Sequence, residues 1–252
     1  MPFGPIAFLG LLGLCLGSFS TTTALRLEQG VSLLGRSSCD HCNQKISWLG
    51  LLPLIGFLAQ RGRCPNCQSQ IPLFYPLTEL ATGLFAMSLY WALGPQIEVL
   101  QLLSLACGLA IISWLDFRTG QIYTTPILFL LGLQLLWYIT VHPGMLLSGI
   151  IGLLSGAGLF HWVSTLFSAL RGKEGLGQGD ASLLGLLGFC LGWQALFPLV
   201  FLSALLGLLG GAILLQIKGR KLSTQIPFGP FIVLGAVLYR IAPERWLQFF
   251  HF

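Results

Sequence analysis

Long apolar runs recur along nearly the whole chain, and they constrain its fold more than any other feature. Several of them approach or exceed the roughly 20 residues that an α-helix needs to span a bilayer. Of the 252 residues, 55% are hydrophobic and only 8% are charged, whereas soluble domains carry about 25% charge. The runs lack the alternating pattern that a β-barrel requires. The sequence therefore predicts an all-α, polytopic membrane protein.

About eight of these runs are predicted to be transmembrane helices. The first is too long for a signal-peptide core and lacks a basic segment before it, so we expect it to remain as the first helix. The sixth is short, which indicates a tilted helix or one buried against its neighbours. The predicted spans are approximately residues 5–25, 76–94, 97–115, 124–141, 145–170, 180–193, 195–217 and 227–243. Glycines within the fifth span predict close helix packing, namely Gly149, Gly152, Gly156 and Gly158.

The basic residues predict an orientation. Of the 13 lysines and arginines, all but Arg240 and Arg245 lie in alternate loops between the predicted spans. Because basic loops stay on the cytoplasmic side, these loops are predicted to be cytoplasmic and both termini external. Fusing the sixth and seventh spans would break this alternation. Orientation also explains the net charge of +5, so no nucleic-acid partner is expected.

One polar region, residues 26–75, separates the first two spans. It is too small to form its own hydrophobic core without a cross-link or a metal. The chain is therefore predicted to consist of a first transmembrane helix (1–25), a cytoplasmic loop (26–75) and a transmembrane core (76–252).

Two Cys-x-x-Cys pairs lie in this loop: Cys39 with Cys42, and Cys64 with Cys67. Four thiolates suit tetrahedral zinc, and four sulfur ligands leave no open position for catalysis. Disulfides are disfavoured in the cytoplasm. We expect a structural zinc site, with redox-active dithiols or cysteines without a role as the alternatives.

Two aspartates are predicted at the same cytoplasmic depth. Asp116 ends the third predicted span, and Asp180 begins the sixth, directly after Gly177 and Gly179 in a Gly-x-Gly-Asp sequence. The glycines allow a backbone to approach closely. A carboxylate at the end of a membrane helix is costly unless it faces water or a partner. Either aspartate alone is compatible with a position among lipid headgroups, but the matching depth of the pair indicates a shared site.

A shared site gives the two carboxylates a definite chemistry. Both cannot easily ionise together, so one keeps a proton and the pair titrates as a unit. Such a pair supplies a base to activate water and an acid to protonate a leaving amine. No histidine outside the cysteine loop lies on the predicted cytoplasmic side, so a serine or cysteine nucleophile would lack a base. The residues favour aspartic peptide hydrolysis by Asp116 and Asp180.

Further motifs accompany the aspartates and the cysteine pairs along nearly the whole chain. They are Gly17-Ser18-Phe19 followed by Arg26, the run Arg61-Gly62-Arg63-Cys64, Tyr75-Pro76 followed by Glu79, Gly175-Leu176 before the Gly-x-Gly-Asp, Gly192-Trp193, and Ile226-Pro227-Phe228-Gly229-Pro230. This combination resembles the prepilin peptidases, also called type IV leader peptidases, which are membrane aspartic proteases of the Gly-x-Gly-Asp class.

The resemblance implies a bacterial inner-membrane enzyme whose active site faces the cytoplasm. It would remove the short basic leader of type IV prepilins or type II secretion pseudopilins after a glycine. Asp116 and Asp180 would be catalytic, and Gly177 and Gly179 would form active-site backbone. Members with a zinc-bearing loop often also methylate the new N-terminus with S-adenosylmethionine. The implied partners are the pilin-type substrate and the lipid bilayer, and no oligomeric state is predicted.

The chain departs from the family's usual pattern at a few positions. Tyr123 and Thr124 stand where Pro-Asp is usual, Ser182 replaces a lysine, and Asp40 replaces the proline of the first cysteine pair. Two alternative functions stay open at this point. One is a non-catalytic scaffold whose zinc loop docks a secretion ATPase or an assembly protein, and the other is a membrane thiol oxidoreductase that uses the cysteine pairs.

Overall fold

A computed structural model describes residues 3–94, 96–171, 177–218, 227–241 and 243–249. Within these ranges the chain forms helices and no strand, with two isolated β-bridges at Ser38–Lys45 and Arg63–Gln70. The predicted all-α fold is confirmed. The α-helices are α1 (Phe3–Gln29), α2 (Ile55–Ala59), α3 (Phe74–Leu93), α4 (Glu98–Thr119), α5 (Thr124–Thr140), α6 (Leu146–Arg171), α7 (Gln178–Leu191), α8 (Leu196–Lys218), α9 (Gly229–Ile241) and α10 (Pro243–Phe249).

Each of the eight predicted spans falls on one of these helices. Among the described residues, four helical segments are long and apolar enough to cross a bilayer: Gly4–Gln29, Glu98–Thr119, Pro143–Leu170 and Trp193–Ala212. Three shorter apolar helices correspond to α5, α7 and α9. These segments agree with a polytopic membrane protein, and the crossing of the membrane by all eight helices stays a prediction.

The chain divides into two compact units, residues 1–111 and 112–252. In the first unit, α1 packs along α3. A Cβ atom added at Gly13 would lie 2.6 Å from the carbonyl oxygen of Thr82, and one at Gly17 would lie 3.0 Å from the Cα of Glu79. Small residues therefore let the two helix backbones approach closely, as in many membrane helix pairs.

In the second unit, α6 packs on α7 in the same way. An added Cβ at Gly152 would collide with the carbonyl of Gly188, and an added Cβ at Gly188 would collide with the carbonyl of Gly152. Gly149 and Gly156 also face α7, at the carbonyls of Phe189 and Leu184. The predicted close packing is confirmed for these three glycines of α6. It is wrong for the fourth glycine, Gly158, which has no atom within 4 Å of an added Cβ.

Helix α7, with only 14 residues, is enclosed by protein. All residues from 183 to 189 are buried, and the helix contacts α5, α6, α8 and α9. This confirms the expectation that the sixth predicted span is buried against its neighbours. Burial fixes its first turn, which carries Asp180, relative to those helices.

The close contact between α6 and α7 predicts that one methyl group added at this contact lowers the stability of the protein. Gly188→Ala should destabilise the protein by about 1–3 kcal/mol, because the methyl meets backbone that cannot rotate away. Gly158→Ala is the matched control and should be neutral or slightly stabilising, since alanine favours a helix over glycine. Denaturant unfolding in detergent compares them, and equal stability of the two variants would contradict the packing.

Candidate active site

Asp116 lies in the last turn of α4. The N–H of Gly120 donates to the Asp116 carbonyl at 2.8 Å, and Gly120 has a φ of +67°, which is the left-handed conformation that ends many helices. The Asp116 side chain is only 4% exposed, whereas the adjacent Phe117 is exposed. The end of α4 therefore holds a carboxylate inside the second unit.

The Asp116 carboxylate is held by the start of another helix. The backbone N–H of Gly229, the first residue of α9, donates to Oδ2 of Asp116 at 2.7 Å. Helix N-termini carry free N–H groups and a partial positive charge, whereas the C-terminal turn of α4 disfavours an anion. The N-terminus of α9 thus supplies the N–H donor and the partial positive charge that the C-terminal end of α4 lacks. An added Cβ at Gly229 would lie 2.8 Å from Oδ2, so a side chain at this position would force the carboxylate or α9 to shift.

Gly229 was absent from the predicted site. The sequence carried a signal for it in Phe228-Gly229-Pro230, which was noted only as a resemblance motif. A glycine directly before a proline at a helix start is compatible with close backbone approach. Its partner lies 113 residues away, which explains why local sequence patterns do not reveal the contact.

Asp180 lies in the first turn of α7, where Gly177 is the N-cap. The N–H of Asp180 bonds to the Gly177 carbonyl at 3.1 Å, and the Gly177 backbone N–H donates in return to the Asp180 carboxylate. This reciprocal arrangement resembles a capping box. The first helical turn also favours a negative charge.

Gly179 brings the two aspartates together. An added Cβ at Gly179 would lie 2.5 Å from the Cβ of Ile122, in the connection between α4 and α5. Any side chain at this position would push α7 away from the end of α4. Asp116 lies close enough to Asp180 for the two carboxylates to interact electrostatically. Both predicted aspartates and both predicted glycines therefore lie in one cluster, at the ends of α4, α7 and α9.

The four predicted metal ligands also lie together, in the first unit. The sulfur atoms of Cys39, Cys42, Cys64 and Cys67 are all within 4.8 Å of one another. The Cys39–Cys67 and Cys42–Cys64 sulfur distances are 3.8 and 3.9 Å. A tetrahedral zinc site with Zn–S bonds of about 2.3 Å has sulfur–sulfur edges of about 3.8 Å, whereas a disulfide measures about 2.05 Å. The four cysteines therefore fit a tetrahedral metal ion.

The two cysteine pairs share one backbone geometry. The N–H of Asn43 donates to the Cys39 carbonyl, and that of Gln68 donates to the Cys64 carbonyl, both at 2.9 Å. Asn43 and Gln68 also share positive φ angles of 55° and 59°. The backbone N–H of Cys42 donates a hydrogen bond to the sulfur of Cys39, and chiefly for this reason the pKa of the Cys39 thiol is lowered to about 6. This favours the thiolate, the form that binds metals.

Known proteins match both parts of the chain. The bacterial peptidase A24 N-terminal domain matches residues 11–93, and the type IV leader peptidase family matches residues 103–212. A prepilin leader peptidase/N-methyltransferase of Aeromonas hydrophila is 35% identical over 85% of this chain and 75% of its own length. The chain belongs to the type IV leader peptidase family. The resemblance inferred from the sequence motifs is thereby confirmed.

Other members of this family are similarly related. A protein of the same name from Pseudomonas putida is 35% identical over 80% of this chain and 70% of its own length. One from Pseudomonas aeruginosa is 32% identical over 92% of this chain and 89% of its own length. No solved structure gave a significant match.

The positions where this family member departs from the usual pattern lie close to the cluster in sequence. Tyr123 is the N-cap of α5, and Thr124 is the first residue of that helix. Ser182 is half-buried in α7, and its hydroxyl donates to the carbonyl of Gln178 in its own helix at 3.1 Å. Of the other motif residues, Gly175-Leu176 and Ile226 lie outside the described residues.

Proposed function

We propose that this chain is a membrane aspartic endopeptidase that removes the short basic leader of type IV prepilins or type II secretion pseudopilins. Cleavage follows a glycine at the cytoplasmic face of the inner membrane. The observation that carries the proposal is the cluster of Asp116 and Asp180, at the ends of two separate helices, in a chain of this family.

The aspartates divide the chemistry of hydrolysis between them. They share one proton, so that one carboxylate deprotonates the attacking water while the other protonates the leaving amine. The Gly229 N–H fixes the carboxylate of Asp116. Gly179 lets α7 approach Ile122 closely, and the exposed Gly177 presents no side chain beside Asp180, which leaves room for the extended backbone of a substrate.

Membrane placement follows from the apolar helices and the basic loops. We infer eight transmembrane helices, α1 and α3–α9, with the loop at 26–75 and both aspartates on the cytoplasmic side. A prepilin leader is basic and remains in the cytoplasm by the same rule. The peptide bond after the leader then reaches the membrane at the depth of the aspartates.

The cysteine loop carries a second part of the proposal. Cys39, Cys42, Cys64 and Cys67 hold a structural zinc ion, which stabilises a loop that is too small to fold around its own core. The relatives are named for N-methyltransferase as well as peptidase activity. We therefore assign this chain a second step, in which the new N-terminus is methylated with S-adenosylmethionine as the methyl donor.

Cleavage of a prepilin-type substrate by the detergent-purified protein tests the peptidase directly. We expect a product that begins immediately after the leader glycine, identified by mass spectrometry. If the protein cleaves none of several such substrates, the result would contradict the peptidase function and favour the scaffold function.

Gly229→Ala tests the positioning of Asp116. The added methyl would lie 2.8 Å from Oδ2, so the carboxylate or α9 must shift. A shift of about 1 Å can slow an enzyme about a hundredfold, and we expect a loss of this size in the cleavage rate. Gly132→Ala in α5, where an added Cβ meets nothing within 4 Å, is the matched control. Equal rates of the two variants would exclude the positioning role.

A further inference from the structure

The cysteine loop contains an apolar surface that neither the metal site nor the aspartates explain. Residues 48–59, here called the apolar hairpin, form a 3₁₀ turn (Leu49–Leu51) followed by α2. The two turns pack at Gly50 and Gly56, where an added Cβ on Gly56 would collide with the Gly50 carbonyl. Large side chains point outward instead: Trp48, Leu49 and Leu58 are 76%, 72% and 71% exposed.

The apolar hairpin lies beside α1 and α3 rather than beyond their ends. The N–H of Leu54 donates to Oε2 of Glu79 at 2.8 Å, and Glu79 packs against Gly17 of α1. Gly17 lies eight residues before the end of the first predicted span at residue 25, which is about 12 Å along a helix. Glu79 itself lies only three residues, about 5 Å, inside the second predicted span, so the hairpin meets these helices near the cytoplasmic ends of their predicted membrane segments.

A cavity lies between the hairpin and α1. Leu51 and Pro53 line it together with residues of α1 from Cys15 to Arg26, among them Phe19. Phe19 is itself 66% exposed, so it extends the apolar surface of the hairpin onto a membrane helix. The outward side chains of the hairpin thus continue the apolar surface of α1.

The charges around the hairpin complement anionic lipid. Residues 41–78 contain no aspartate or glutamate, and Lys45, Arg61 and Arg63 are exposed on either side of the hairpin in the sequence. The guanidinium of Arg36 lies 5.4 Å from the centre of the Trp48 ring. Tryptophan with neighbouring basic side chains is typical of the membrane–water interface.

We propose that the apolar hairpin is inserted into the cytoplasmic leaflet, at the boundary between the headgroups and the acyl chains of anionic lipids. It acts there as an interfacial anchor that holds the cysteine loop at the membrane surface. The inference rests on the proposed cytoplasmic placement of this loop and on α1 and α3 crossing the membrane. It is independent of the peptidase chemistry.

Insertion also explains the buried Glu79, to which the peptidase proposal gives no role. Leu54 has a φ of +59°, so its N–H lies outside a regular helical hydrogen-bond pattern at the start of α2. Close to the acyl chains, water is scarce and an unpaired N–H is costly. The Glu79 carboxylate supplies the missing acceptor and ties the hairpin to α3.

Photo-crosslinking in nanodiscs that contain phosphatidylglycerol tests the anchor. The photoreactive residue benzoyl-phenylalanine replaces Leu49 or Leu58 in the full chain, and it replaces the exposed Asn66 in the control. We expect lipid adducts at Leu49 and Leu58 in about tenfold excess over Asn66. The yield should fall when phosphatidylcholine replaces phosphatidylglycerol.

The other outcomes each exclude the anchor. Crosslinks from Leu58 to a second copy, or to an added prepilin, would identify a protein-docking surface, and lipid adducts at Leu49 and Leu58 that do not exceed those at Asn66 would exclude selective insertion of the hairpin. A second measurement is quenching of tryptophan fluorescence by brominated acyl chains, compared between the unmodified protein and Trp48→Phe. If the fluorescence intensity removed by the quencher is identical in both, Trp48 is not reached by the acyl chains and the insertion is overturned. None of these positions belongs to the aspartate cluster, so failure here leaves the cleavage assay unaffected.

Discussion

Asp116→Asn and Asp180→Asn are each expected to abolish leader cleavage while the fold is retained. Asparagine keeps the volume of the side chain but cannot hold or transfer the shared proton. Its amide oxygen can still accept the Gly229 N–H, so the contact between α4 and α9 survives in the Asp116 variant. The loss of one acid–base group typically costs about 10²–10⁴-fold in rate. The initial rate of leader removal by purified protein measures it.

The double variant and one distant carboxylate complete this experiment. If the aspartates act as a unit, removing both should cost about as much as removing either one. Glu244→Gln, which removes an exposed carboxylate in α10, should cleave at the wild-type rate. Near wild-type cleavage by either aspartate variant would exclude that residue from catalysis.

The sequence was sufficient to predict the helices and the meeting of the aspartates. Apolar runs determine where membrane helices lie, and each predicted span falls on a helix. Asp116 and Asp180 were paired because both occur at the cytoplasmic ends of predicted spans. Because a shared site needs both carboxylates at one depth, only the residues at the cytoplasmic ends of the predicted spans are candidates. The Gly-x-Gly sequence then indicates where another backbone can approach Asp180 closely.

Other features depended on contacts between distant segments. Gly229 contacts Asp116, which lies 113 residues earlier in the chain. Hydrophobic periodicity describes only neighbouring residues, so it cannot predict this contact. The apolar hairpin was also missed, because its two turns are too short for a hydrophobic period and lie within a region that was treated as polar. The contact between Leu54 and Glu79 shows where it lies.

The prediction of close helix packing at Gly158 was wrong, although its position in the helical repeat indicates the correct result. Helical residues advance by about 100° each, so Gly149, Gly152 and Gly156 share one face of α6. Gly158 follows Gly149 by nine residues and lies on the opposite face. Counting glycines identified the packing helix, but only the helical period identifies the packing face.

Removal of one cysteine sulfur is expected to release the metal and loosen the cysteine loop. Cys64 is the one buried member of the cluster, so Cys64→Ser replaces the ligand that water reaches least. Metal binding supplies about 10–16 kcal/mol in small zinc domains. Without it, the segment between α1 and α3 has two isolated β-bridges, one 3₁₀ turn and one five-residue helix among its described elements. We expect zinc content to fall to background and hydrogen exchange in this segment to accelerate.

Cys15→Ser is the matched control, because Cys15 lies in α1 and outside the cluster. It should retain zinc and normal exchange in the loop. Unchanged metal content in the Cys64 variant would contradict the zinc site, and a metal-free wild type that cycles between dithiol and disulfide would favour the oxidoreductase alternative. Sulfur–sulfur distances of 3.8 and 3.9 Å favour the metal, because a disulfide would have to shorten both by almost half.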